Sequence, residues 1–117
     1  MRVLRTVAEL NERGWNRDYL RRGERHGRWR RIVKGVYGEG PEPPSPLDVA
    51  RATAYAVSGV GARGLAGVLL GLDSVTLADG VEILLLAGES NRRPGVRRVK
   101  QLPDATIEIA QVRCTDG

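Results

Sequence analysis

Residues 26–40 read HGRWRRIVKGVYGEG. His26, Arg28, Arg30, Arg31, Lys34 and Glu39 carry a charge or an imidazole, while Trp29 and Tyr37 bring rings and Ile32, Val33 and Val36 bring branched aliphatic chains. A solvated loop has no use for so many β-branched and aromatic residues, whereas a pleated ribbon packs them well. Lys34-Gly35 separates the two apolar stretches at hairpin spacing, so the segment predicts a β-hairpin decorated with cations. Trp29 and Tyr37 are expected to tie that hairpin to neighbouring helices.

Upstream, Thr6 and Glu9 stand three apart, as in a capping box where hydroxyl and carboxylate answer each other's open backbone amides. Leu4, Val7 and Leu10 recur every third residue and predict one helical face, ended by Gly14. Asn16 is a suitable cap for a second helix, RDYLRRGERH, closed by Gly27. Gly23 costs this helix about 1 kcal/mol relative to Ala. Arg17, Arg21 and Arg25 repeat every fourth residue and predict a cationic stripe along it. His26 reads as a helix-end residue favoured by the dipole, without a catalytic part.

The order helix, turn, basic helix, hairpin is that of a winged helix-turn-helix. A helix of this diameter fits the major groove of duplex DNA, its first residues meeting base edges while flanking cations hold phosphates. On this reading Asn16 and Arg17 lie nearest the bases. Arg21, Arg22 and Arg25 join Arg17 on the groove and phosphates, and Arg28, Arg30, Arg31 and Lys34 grip the adjoining backbone. Charge distribution favours it. The chain carries +5 overall, but residues 1–40 hold eleven cations against five acids, and the remainder sums to −1. Arginine outnumbers lysine 17 to 2, which a GC-rich gene alone explains; the concentration of that surplus in one module it does not.

The Pro-rich stretch at 41–46 reads as an extended linker to a second lobe, residues 47–117. Ser45 caps and Pro46 starts a helix whose Val49, Ala52 or Thr53, and Ala56 share a face. GARGLAGVLLG predicts a glycine-rich second helix with Leu65, Val68, Leu69 and Leu72 in the core. VEILLLAG, GVRRVKQL and ATIEIAQVRC predict about three strands. The fold class expected is therefore α+β: an N-terminal winged helix-turn-helix, then a small lobe of two helices and three strands. Arg92, Arg93, Arg97, Arg98 and Lys100 form a possible second basic surface around a Pro94-Gly95 turn.

Several classes are disfavoured. Cys114 and His26 stand alone, so no zinc set forms; Asp73, Asp79, Glu82 and Glu89 lack metal-ligand spacing. No Ser/His/Asp set or phosphate loop appears, and SGVGARGLAG is read as following a helix, unlike a dinucleotide fingerprint. The expectation is a non-enzyme with no metal, cofactor or small-molecule substrate. Neither a signal peptide nor a membrane-length apolar run is seen, so a cytoplasmic, reduced, soluble domain is expected, without membrane partners.

ELNERGWNRDYLRRGERHGRWRRIVKGVYGEGP, PLDVARATAYAVSGVGARGLAGVLLGLDSV and VEILLLAGESNRRPGVRRVKQLPDATIEI resemble the N-terminal region of the AbiEi-type antitoxin and transcriptional regulator family. That region is shared with actinobacterial proteins carrying a Vsr-like endonuclease domain. The resemblance implies a winged helix-turn-helix that binds operator DNA and represses its own operon. It departs at Gly61-Ala62-Arg63-Gly64, where relatives carry a Ser-His pair, and at VRCTDG, where relatives continue into a further domain. A naturally short version or a fragment is expected. Double-stranded DNA is thus the expected partner, with a homodimer possible. The rival readings are a phage or defence module that binds a host or toxin protein, and the DNA-binding fragment of a Vsr-like nuclease.

Overall fold

The computed structural model describes residues 1–71, 77, 81–86, 93, 95–99, 102–103 and 106–115. Three strands form the first sheet: β1 (Leu4–Thr6), β2 (Trp29–Val33) and β3 (Val36–Glu39), in the antiparallel order β1-β3-β2. Helices α1 (Val7–Glu12) and α2 (Arg17–Arg25) lie between β1 and β2 in the chain. The Thr6/Glu9 capping box forms as the spacing requires, and the Asn16 side chain accepts the Tyr19 amide to start α2. Gly14, at φ +81°, turns the chain between the helices in a left-handed conformation that a side chain would strain. Leu4, however, is strand and not helix: β1 pairs with β3 from Leu4↔Gly38 to Thr6↔Val36. Its side chain belongs to the sheet core.

The hairpin expected at 29–37 is present, closed by Lys34-Gly35 between Val33 and Val36. A bulge between Arg31 and Val33 interrupts the alternation there, so Ile32 and Val33 both pack into the cluster of Leu4, Val36 and Ala52.

Helix α3 (Pro46–Val57) follows, with Ser45 and Asp48 forming a second capping box and Pro46 at its first turn. A second, five-stranded sheet contains β4 (Val60–Ala62), β5 (Val81–Leu86), β6 (Val96–Val99), β7 (Thr106–Ile109) and β8 (Val112–Thr115), in the order β6-β5-β4-β8-β7. Helix α4 (Arg63–Leu69) joins β4 to β5. The architecture is mixed α+β, with more strands than the expected three in the second lobe. Two strands were hidden. β4 overlaps the start of the run expected to be helical, and ATIEIAQVRC divides into β7 and β8 at Ala110-Gln111.

SGVGARGLAG follows a helix, α3, as expected, and β4 lies within it ahead of α4. The unit is still not a dinucleotide fold: β4 and β5, on either side of α4, are antiparallel, whereas that fold needs a parallel crossover.

The face expected on α3 is also revised. Val49 is 40% exposed, whereas Ala50, Arg51, Ala52, Thr53 and Ala54 are all buried. A helix with one apolar face would not bury five consecutive residues. Here α3 lies between the sheets: Ala52 joins the first core, while Ala50 and Ala54 join Leu65, Ala66, Leu69, Ile83, Val112 and Cys114 in the second.

Polar clamps fasten this junction. Arg51, 1% exposed, donates from Nε and Nη2 to the Ala110 carbonyl and from Nη1 to the Arg2 carbonyl. Gln111 takes the Leu4 amide at 2.7 Å and donates to the Leu4 carbonyl at 3.0 Å. Tyr55 donates to Glu9 at 2.7 Å. Ala110 and Gln111 adopt φ +50° and +67° without being glycine, a conformation costing about 1 kcal/mol or more each and held by these bonds. Among the described residues no helix is long and apolar enough to cross a membrane.

Candidate nucleic-acid interface

Helices α1 and α2 pack on one side of the first sheet, and α3 covers the other. Strand alternation decides which cations reach which side. On β2, Trp29 and Arg31 face the helix pair. Arg30, half-buried and paired with Gly38, falls on the α3 side with Ile32.

Trp29 anchors α2. Its indole nitrogen donates to the Leu20 carbonyl at 2.8 Å, and its ring lies against Gly23, where an added Cβ would overlap the ring. The glycine that weakens the helix as an isolated segment is thus the position where the hairpin docks. Trp15 stacks on Trp29 at 5.3 Å, and Tyr19 tilts against both rings.

A groove of about 570 Å³ opens between α2, the end of the hairpin and the start of α1. Arg17 and Arg21 border it from α2 and Arg31 and Lys34 from the hairpin, with Glu24 the single carboxylate among its walls. All four were expected to contact DNA through α2 or the wing, and all four are exposed. None makes an ion pair among the described residues. The hairpin end is fixed, because the Val7 amide donates to the Gly35 carbonyl at 2.9 Å and Arg93 donates to the Lys34 carbonyl at 2.8 Å. The hairpin backbone that carries Arg31 and Lys34 therefore does not have to be ordered on binding.

The remaining expected residues are distributed differently. Asn16 is exposed, its side-chain oxygen engaged as the α2 cap. Arg22 and Arg25 are exposed on α2 but do not border the groove, since Glu24 and not Arg25 follows Arg21 along its wall. Arg28 lines a separate cavity with Trp15 and Trp29. In the second basic run, Arg93 meets the hairpin, Arg97 pairs with Glu82 at 3.1 Å, and Arg98 is exposed on β6. Arg92 and Lys100 lie outside the described residues.

Sequence reasoning missed Arg51, which by type reads as a surface cation and is instead buried, its pKa lowered by the loss of water. It also missed the Glu9–Tyr55 contact. Burial and the bond to Glu9 push the Tyr55 hydroxyl up to about 12, while Glu9, though burial raises it, is held below its ordinary value by the bonds from Tyr55 and Thr6. No group of three or more His, Cys, Asp or Glu side chains suited to a metal occurs among the described residues.

No protein-family model matches this chain, and no curated protein matches it.

Proposed function

We propose that the protein is a double-stranded-DNA-binding regulator that reads its site through α2, with the β2–β3 hairpin as a wing. The reading takes α1, the four-residue connection Arg13–Asn16 and α2 as a helix-turn-helix, and the β1-β3-β2 sheet as the ribbon beside it. One observation carries it: Arg17, Arg21, Arg31 and Lys34 border one groove against one carboxylate, and none makes an ion pair among the described residues. Phosphates are the partner that such a row of exposed guanidinium and ammonium groups suits best. The resemblance to AbiEi-type regulators adds a role, autorepression of the gene's own operon, and α3 with the second sheet then serves as the rigid support.

A mobility-shift titration against the DNA upstream of the protein's own gene tests this. Binding should weaken by about 10²-fold or more between roughly 50 and 200 mM salt, yet keep a preference for that DNA over unrelated duplex. Failure to retain any duplex at the lower salt ends the proposal.

A further inference from the structure

The second cavity has a chemistry that duplex binding does not use. It measures about 350 Å³ and opens beside the α1–α2 connection, at the opposite end of the first sheet from the Lys34-Gly35 turn. Trp15, Trp29 and Tyr37 contribute rings to its wall, and Arg5, Arg13 and Arg28 contribute guanidinium groups.

The aromatic residues are concentrated here to an unusual degree. The chain has two Trp, three Tyr and no Phe. Three of those five line the cavity, and Tyr19 backs both tryptophans. Neither apolar core includes a tryptophan. Rings that served only to fill the interior belong in those cores. These instead are half-buried, with part of their surface left open at the cavity.

Charge points the same way. Glu39 is the only carboxylate in the wall, so the lining carries a surplus of two positive charges. Arg5, Arg13 and Arg28 make no ion pair among the described residues, and Arg13 lies 6.0 Å from the Trp15 ring centre. Rings offer faces and edges to a planar group, and guanidinium forks offer paired donors to a carboxylate or phosphate. The volume lies at the small end of ligand sites, with room for one planar ring system and one anionic group.

We infer that this cavity is a binding site for a small planar aromatic anion. The shared chemistry has two sources, a nucleoside monophosphate or a free aromatic carboxylate. Trp29 also holds α2 through Leu20 and Gly23, so an occupant touches the element on which the proposed duplex contacts depend. That coupling rests on the DNA reading; the site does not.

Titration of the full chain without DNA, followed by NMR shifts of the two indole N–H groups, tests it. Both indoles line this cavity and neither lines the α2–hairpin groove, which separates this result from duplex binding. The probes are adenosine monophosphate, indole-3-carboxylate, inorganic phosphate and neutral indole. Saturable shifts are expected with one or both of the first two, and the tighter of them identifies the source. Arg13→Gln with Arg28→Gln, both exposed positions, should raise Kd by about tenfold or more, whereas Arg17→Gln with Arg21→Gln should leave it unchanged. No shift with either aromatic anion at millimolar concentration overturns the inference. So does indole or phosphate binding as tightly as the aromatic anions, or an unaltered Kd in the Arg13/Arg28 variant.

Discussion

The same residue type is used in opposite ways at different places in this molecule. Around the first sheet, Arg17, Arg21 and Arg31 stand exposed along a groove and make no ion pair among the described residues. Elsewhere arginine is bound by the protein itself, as Arg2 is by Glu42 and Asp48. Arg51 is enclosed and occupied by two backbone carbonyls, while Arg63 and Arg97 both approach Glu82. A count of cations treats these groups alike. The first set is left to face a partner, while Arg2 and Arg51 help to hold the fold.

The comparison breaks most readily at Arg51. Arg51→Ala removes three hydrogen bonds and leaves the Ala110 and Arg2 carbonyls without their donors at the junction of the two sheets. A loss of about 4 kcal/mol is expected in urea unfolding, against less than about 0.5 kcal/mol for the exposed Arg25→Ala. Equal losses would erase the distinction between structural and presented arginine.

Gly23→Ala comes next. Its methyl group must enter the Trp29 ring, so either the ring or α2 shifts, at a cost of about 2–3 kcal/mol. An isolated helix would gain about 1 kcal/mol from the same change, so the sign alone shows whether the hairpin docks there. Thermal or urea unfolding reads it directly.

Tyr55→Phe has a smaller expected effect, about 1.5 kcal/mol at neutral pH, because Glu9 keeps its Thr6 bonds. Its pH dependence is more telling. Tyr55 has a raised value in the fold, so its contribution is complete below the ordinary tyrosine range near 10 and is lost as pH rises toward about 12. Glu9 has a lowered value, so its contribution is present above the ordinary glutamate range and fades as pH falls through its lower value in the fold. The phenylalanine variant should lose the alkaline part of this dependence, measured as unfolding free energy against pH.

Much of the fold could be read from local chemistry. The two capping boxes, the Asn16 cap and the Lys34-Gly35 hairpin all depend on residues within four positions of one another, and all formed. What escaped was set by distant partners. β1 and β4 have three residues each, too few for a period, and exist because β3, β5 and β8 lie alongside. The β7–β8 turn carries Ala110-Gln111 in place of Asn or Gly, held by Arg51 and Gln111 contacts across the junction. Burial on both sides of α3 likewise needs two sheets that the helix sequence cannot announce.

The candidate interface was legible as a region but not as a set of side chains. Strand alternation, visible in the sequence, already separates Arg30 from Arg31. The register of α2 against the hairpin, which selects Arg21 and leaves Arg25 aside, follows from Trp29 packing on Gly23 and could not be read from spacing.

The most direct test of the central claim compares two variants of equal charge. Arg21→Gln with Arg31→Gln alters the groove, and Arg22→Gln with Arg25→Gln alters exposed arginines outside it. With duplex affinity measured across a salt series, the account predicts that the groove pair flattens the plot of log affinity against log salt by about two and weakens binding. The other pair should stay within about half a unit of the wild-type slope. Equal losses in both variants would show that duplex attraction follows total charge, and would contradict a groove built for it.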